Sequence, residues 1–131
     1  MNQTALQQYR AIGVQSGVAG ANSHQLIAML IAGAADHLAT ARGAMQRGEV
    51  GRKGELISSA IGIIDSLRAS LDRERGGEIA DNLGALYDYM EQGLVEANLA
   101  SDVARLDEVA ALLGEIRSAW NAIPEDMRQP A

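Results

Sequence analysis

Several residue types that usually carry chemistry are rare or missing in this chain of 131 residues. It has no Cys, which excludes disulfides, thiolate metal sites and a cysteine nucleophile. It has no Phe, and its four aromatic residues are Tyr9, Tyr87, Tyr89 and Trp120, so Ala, Leu and Ile must fill most of any core. That mixture favours helix over strand.

Long apolar runs and positive charge are also scarce. The longest apolar run, residues 26–35, is far too short to span a membrane, and the N-terminus lacks the pattern of a secretory signal. The net charge is −6, and nine acids between Glu78 and Glu115 face the single base Arg105. Such a surface repels phosphate backbones. We therefore expect a cytoplasmic protein with no membrane insertion and no nucleic-acid partner.

Four segments place apolar residues at spacings of three and four, which is typical of amphipathic helices. Their main apolar rows cover residues 27–45, 57–71, 79–97 and 106–123. Helices of roughly 20 residues joined by short connections pack antiparallel. The prediction is an all-α protein, an antiparallel up-down-up-down four-helix bundle with a loosely structured N-terminal arm.

Glycine, proline and capping residues set the predicted boundaries. Gly48 and Gly51 are expected to mark the end of the first helix, Gly76-Gly77 that of the second, and Pro124 that of the fourth. Ser101 or Asp102 is expected to cap the start of the fourth. The domain boundaries that follow are residues 1–20 for the N-terminal arm, 21–124 for the bundle and 125–131 for the C-terminal tail.

Two predicted helices carry more apolar residues than a narrow core row needs. Leu56 and Ile63 form a second line on the second helix, and Leu26, Met29 and Leu30 lie beside the main row of the first. A wide core-facing stripe explains them, and so does an apolar groove kept for a partner helix. The sequence leaves both explanations open.

Glycine is unusually frequent inside the predicted helices. Each such glycine costs roughly 0.5–1 kcal/mol relative to Ala. The seven positions are Gly33, Gly43, Gly54, Gly62, Gly84, Gly93 and Gly114. Close helix packing is the first explanation, and a surface on which another backbone lies is the second.

Enzymatic chemistry finds little support in the residues. A di-iron bundle needs Glu three residues before its His ligands, and neither His24 nor His37 has one. No nucleophile elbow is present. We expect no catalytic residue, no metal and no cofactor. Two alternatives stay open, namely a histidine phosphotransfer bundle with His37 as the acceptor and a homo-oligomeric scaffold.

One block of the sequence resembles the signature of a known family, the flagellar export chaperones called FliS. It reads Gly76-Gly77-Glu78-Ile79-Ala80, then Asn82-Leu83, then Leu86-Tyr87-Asp88-Tyr89-Met90. Other stretches resemble that family's first, second and fourth long helices, at His24-Gln25-Leu26-Ile27, Lys53-Gly54-Glu55 and Ala119-Trp120. The chain departs from the family at Ser23, where Pro is usual, and at Ile31-Ala32, where an aromatic and an acid are usual.

The resemblance implies a function that the residues alone do not give. It implies a bundle that holds the disordered C-terminal segment of flagellin in the cytoplasm, prevents premature polymerisation and assists delivery to the flagellar type III export gate. The cytoplasmic domain of that gate is then a partner of the loaded complex. The N-terminal arm of such a protein lies over the binding surface, and the empty protein can form a homodimer.

The expected partner-binding residues lie on the arm and on the second and third helices. They are Leu6, Tyr9, Ile12, Ile57, Ile61, Ile64, Leu86, Tyr87 and Met90. The alternative for each is an ordinary core position. Tyr89 points away from the apolar row of the third helix, so we expect it to be exposed with its hydroxyl available to a partner.

Overall fold

The structure is a computed structural model that describes residues 23–127, apart from the side chains at positions 73, 75 and 125. Within that range the chain forms four helices and no strand. The helices are α1 (Ser23–Gln46), α2 (Val50–Ala69), α3 (Arg73–Ala100) and α4 (Val103–Asn121), and a 3-10 turn follows at Glu125–Met127. The predicted all-α four-helix bundle is confirmed, while the arm at 1–20 lies outside the described residues.

The helices form a closed antiparallel ring. Each packs on the next along the chain, α4 packs back on α1, and the α1–α2 interface is the most extensive. The connections are only two or three residues long, which forces neighbouring helices to run in opposite directions. On the solvent side, Arg42 of α1 and Asp107 of α4 form a two-point ion pair with a shortest distance of 2.7 Å.

The core takes up most of the apolar residues that the sequence analysis treated as surplus. Leu56 and Ile63 are buried in the same cluster as the main rows, and Leu30 is fully buried. Leu26 and Met29 are half-buried. The wide core stripe is therefore the correct explanation for Leu30, Leu56 and Ile63.

The boundary between α2 and α3 differs from the prediction. α2 ends at Ala69, because the amide of Ser70 bonds to the carbonyls of Ser66 and Leu67 and its hydroxyl donates to the Leu67 carbonyl at 2.7 Å. α3 then begins at Arg73, ahead of the glycines expected to separate the helices. Gly77 has φ 51° and ψ −123°, so it interrupts the start of α3 instead of ending α2. The prediction that Gly76-Gly77 ends the second helix was wrong.

The end of α3 is closed by a left-handed residue and a cap. Ser101 has φ 48°, and the amide of Asp102 donates to the Ala97 carbonyl at 3.0 Å. The carboxylate of Asp102 accepts from the Arg105 amide at 3.1 Å, so the predicted cap of α4 is confirmed. At its other end α4 stops at Asn121, two residues before the predicted Ile123.

A buried lysine of α2 supports the same end of α3. Lys53 is only 4% exposed, and its Nζ donates to the Asn98 carbonyl at 2.8 Å and to the Ser101 hydroxyl at 2.7 Å. The last carbonyls of a helix lack partners within that helix and lie at the negative end of its dipole. The Lys53 ammonium therefore supplies a hydrogen bond to one of these carbonyls and a positive charge at the negative end of the helix dipole. No pattern in the sequence predicted a buried charge at this position.

Four of the seven helix glycines fall into two groups. At Gly93 a Cβ would lie 2.9 Å from Val109 Cγ2 of α4, so this glycine permits close packing of α3 on α4. At Gly54, Gly62 and Gly114 a Cβ would meet no atom within 4 Å. Close packing therefore accounts for Gly93 but not for those three positions.

Candidate functional site

A half-open cavity of about 540 Å³ lies at the end of the bundle where α1 and α3 begin and α2 and α4 end. Its walls are mainly apolar and come from all four helices. They include Ile27, Leu67, Leu83, Tyr87, Ile116 and Trp120. The volume lies within the range of typical ligand pockets, about 300–1,000 Å³.

The cavity exists because α3 extends beyond the end of α2. Arg68, in the last turn of α2, pairs with Asp88 and with Glu91 of α3, the latter at 3.2 Å. The turns of α3 before residue 88 therefore project past α2 by roughly 15 Å, at 1.5 Å for each of ten residues. The 70–72 connection runs along this overhang and forms another part of the wall.

Two large apolar side chains stand exposed at the cavity rim. Ile79 of α3 is 72% exposed and Met127 of the 3-10 turn is 71% exposed. The apolar periodicity of the third helix placed Ile79 on the buried row. It is exposed because it lies on the overhang, where no turn of α2 is left to cover it.

A histidine and a tryptophan join α1 to α4 at one wall of the cavity. The rings of His24 and Trp120 stack with centroids 4.8 Å apart and planes 8° from parallel. His24 Nε2 donates to the Trp120 carbonyl at 2.8 Å, and Trp120 Nε1 donates to the His24 carbonyl at 2.9 Å. The donation to a carbonyl places a proton on Nε2. The ring stack and the two hydrogen bonds hold the indole in place as one wall of the cavity.

Formal charge at this end of the bundle is negative among the described side chains. Two helix N-termini and two C-termini meet here, so their dipoles largely offset one another. Asp72 lines the cavity, Glu74 and Glu78 are exposed on the adjoining start of α3, and Asp126 is exposed beside Met127. Over residues 72–81 the sequence carries four acids and two bases.

The structure places the predicted partner-binding residues in three environments. Ile57, Ile64 and Met90 are fully buried, and Ile61 and Leu86 are half-buried against the core. Tyr87 is buried and lines the cavity, and burial raises the pKa of its phenol. Leu6, Tyr9 and Ile12 lie outside the described residues. A partner role for these positions stays a prediction.

Sequence reasoning did not single out the rim of the cavity. Ile79 was assigned to the core and Met127 to the C-terminal tail. The sequence does hold a signal for these two rim residues, since Ile79 closely follows Gly77 and Met127 closely follows Pro124. An apolar side chain next to a helix-breaking residue lies near the end of the packed region, where a neighbouring helix need not cover it.

A group of three carboxylates and one guanidinium joins α2 to α3 beside the core. Arg68 contacts Asp65, Asp88 and Glu91. The Glu91 carboxyl is mostly buried, and burial together with the neighbouring Asp65 raises its pKa to about 7, although Arg68 acts in the opposite direction. Arg68 cannot fully neutralise three acids, so a proton on Glu91 relieves the excess negative charge.

A second polar cluster joins α3 to α4. Tyr89 is exposed as predicted, at 41%, but its hydroxyl donates to Glu108 at 2.6 Å and accepts from Arg105 at 2.8 Å. The Arg105 guanidinium also lies over the Tyr89 ring, 4.9 Å from its centroid, and bonds to Glu96. Hydrogen bonds from Tyr89 and Arg105 lower the pKa of Glu108. The hydroxyl expected to serve a partner is thus engaged within the bundle.

The remaining chemistry of the described part of the chain is sparse. His37 bonds through Nδ1 to the Gly33 carbonyl at 2.7 Å within its own helix. Across residues 23–127 no three side chains of the metal-binding types come together, and none of the helices there has the length and apolar character to cross a membrane.

Comparison with known proteins covers nearly the whole chain. Residues 5–127 match the family described as Flagellar protein FliS. The chain is 51% identical over 119 residues to the flagellar secretion chaperone FliSB of Pseudomonas aeruginosa, covering 91% of this chain and 94% of that protein. It is 47% identical over 121 residues to the flagellar secretion chaperone FliS of Salmonella typhimurium, covering 92% and 90%. It is 32% identical over 115 residues to that of Bacillus subtilis, covering 88% and 85%.

Proposed function

Because the chain belongs to the FliS family of flagellar secretion chaperones, we propose that its client is the disordered C-terminal segment of flagellin. By covering that segment in the cytoplasm, the bundle prevents premature polymerisation. It then assists delivery of flagellin to the type III export gate, whose cytoplasmic domain contacts the loaded complex. The work is binding and release, and it needs no catalytic group.

One observation supports this function beyond family membership, namely the apolar cavity at the end of the bundle with Ile79 and Met127 exposed at its rim. A client segment that folds on binding loses roughly 2–5 kcal/mol in ordering. At about 25 cal/mol per Å², burying roughly 80–200 Å² of apolar surface offsets that cost. A chaperone therefore needs apolar surface that its own core does not use.

The same surface accounts for a second state of the proposed cycle. An empty chaperone with exposed apolar side chains gains by covering them, and two copies can do this by pairing through the cavity end. A homodimer of the empty protein would then dissociate when flagellin binds. Light scattering with and without client distinguishes this state from a permanent homo-oligomeric scaffold, whose mass would not change on adding client.

The direct test is calorimetry of the full chain with a peptide of the flagellin C-terminal segment. We expect saturable heat at tens of micromolar, with a negative heat-capacity change from apolar burial when the titration is repeated at several temperatures. A scrambled peptide of identical composition is the control and should give no saturable heat. If neither peptide binds, flagellin is not the client.

A further inference from the structure

We propose that the contact between the end of α2 and the middle of α3 is a proton-operated switch, which is closed when Glu91 holds a proton and opens when that proton is lost. The inference concerns the free bundle and does not depend on what its client is. It goes beyond the function proposed above because it gives the fold a response to pH.

Acids outnumber bases in the cluster around Arg68, which joins α2 to α3. The Arg68 guanidinium is in ion-pair contact with Asp65 of its own helix and with Asp88 and Glu91 of α3. When every group is ionised, three negative charges face one positive charge. Carboxylates that share a site disfavour the charged form of one another. One bound proton lowers the excess from two negative charges to one.

Burial selects Glu91 as the acid that holds the proton. Its side chain is 17% exposed, whereas those of Asp65 and Asp88 are 21% and 62% exposed. The Oε2 atom of Glu91 is buried and has no hydrogen-bond partner. A buried oxygen without a donor carries negative charge poorly, so a proton on this carboxyl is favoured. Burial is the main cause that raises the pKa of Glu91 to about 7, and a hydrogen bond with Asp65 is the second.

The charged groups that face Glu91 belong to α2 and to α3 itself. They are Asp65, Arg68 and Asp88. The charged side chains of α4 that contact α3 lie elsewhere, because Arg105 and Glu108 bond to the hydroxyl of Tyr89. Tyr89 is two positions from Glu91, which places the two side chains on nearly opposite sides of the helix. The response to pH therefore belongs to the contact of α2 with α3.

Loss of the proton weakens this contact between the two helices. The ionised Glu91 of α3 repels Asp65 of α2 and stays poorly solvated while the helices are packed together. Moving the last turns of α2 away from α3 admits water to the carboxylate. Leu67 of α2 and Tyr87 of α3, which both line the end cavity, lie close to the cluster along their helices. Opening of the switch therefore loosens one edge of that cavity.

Amide hydrogen exchange of the full chain, read by mass spectrometry and divided by the intrinsic rate at each pH, measures the opening. Because the pKa of Glu91 is about 7 when the contact is closed and returns to the ordinary 4.5 when it is open, opening should increase several-fold per pH unit between pH 5 and pH 7 and level off above about pH 7. Protection at the end of α2 should fall about tenfold between pH 6 and pH 8, and protection in α1 should fall less than about twofold.

Three variants separate the switch from a general effect of pH. Glu91→Gln keeps the shape of the neutral side chain, so the end of α2 should stay protected at every pH. Asp65→Asn removes an acid that raises the pKa of Glu91, so exchange should level off at a lower pH. The control Asp107→Asn breaks the exposed ion pair with Arg42 between α1 and α4, and should leave the response of α2 unchanged.

Several outcomes would overturn the switch, and none of them involves flagellin. Protection at the end of α2 that does not change with pH, or that changes equally in the wild type and in Glu91→Gln, would do so. An equal loss of protection in α1, α2 and α4 would also do so, because pH would then act on the whole bundle. If Glu91→Gln fails to fold, titration of the wild-type Glu91 carboxyl by carbon-13 NMR decides, since a midpoint near 7 supports the switch and one near 4.5 overturns it.

Discussion

The contrast between two helix glycines gives the sharpest test of how the bundle packs. Gly93 of α3 faces α4, where an added Cβ would lie 2.9 Å from Val109 Cγ2 and 3.4 Å from Arg105 Nε. Gly114 of α4 is exposed, and a Cβ there would meet no atom within 4 Å. The same change to Ala should therefore have opposite effects at the two positions.

The magnitudes follow from two opposing terms. Replacing Gly by Ala inside a helix stabilises the fold by roughly 0.5–1 kcal/mol. At Gly93 this gain is opposed by overpacking, which typically costs about 1–3 kcal/mol. Val109 cannot easily turn away, because it is fully buried and β-branched. We expect Gly93→Ala to lower the free energy of unfolding by about 1 kcal/mol or more, and Gly114→Ala to raise it by up to about 1 kcal/mol.

Thermal and urea unfolding followed by circular dichroism measures both variants against the wild type. At roughly 4 °C per kcal/mol for a domain of this size, the two melting temperatures should differ by about 8 °C. If Gly93→Ala proves as stable as Gly114→Ala, α3 and α4 do not need the glycine for their approach. The reasoning from the 2.9 Å contact would then be refuted.

Two further predictions concern buried ionisable groups. Lys53→Met removes the donor to the Asn98 carbonyl and the Ser101 hydroxyl, so urea unfolding should show that the free energy of unfolding falls by about 2–3 kcal/mol. The control Arg52→Met, on the exposed side of α2, should lower it by less than about 1 kcal/mol. Equal losses in the two variants would contradict the role given to Lys53. Because the pKa of Glu91 is raised from 4.5 to about 7 in the folded state, the native protein holds a proton that the unfolded chain has released, so this contribution to stability is complete below about pH 4.5 and is lost as pH rises to about 7. Urea unfolding between pH 4.5 and 7 should show that the free energy of unfolding of Glu91→Gln depends less on pH than that of the wild type. An equal pH dependence in the two proteins would contradict the raised pKa of Glu91.

The periodic rows of the sequence predicted most of the core. Leu38, Ile57, Leu94 and Leu113 are all fully buried, and each lies on or beside the apolar row that its own helix pattern indicates. Such a pattern is local, because apolar residues spaced three or four apart identify the buried face of one helix, whichever element packs on that face. The fold class and the helix count follow from it directly.

The ends of the helices and the cavity depend on information that no single helix carries. The overhang of α3 arises from how far α2 and α3 are shifted along each other, and that register is set by contacts such as Arg68 with Glu91. For the same reason Ile79 fits the core pattern but is exposed. Lys53 gives the converse case, because a charged residue looks solvated in the sequence until a neighbouring helix end supplies its acceptors.

The stacked pair of His24 and Trp120 has a consequence for the order in which the chain folds. Consecutive helices meet through connections of two or three residues, whereas this pair joins positions 96 residues apart. Bringing distant segments together costs loop entropy, which grows with the logarithm of the separation. The α1–α2 hairpin is therefore suited to nucleate the native topology, and the seam between the first and last helices should be the final one to form and the first to open during unfolding.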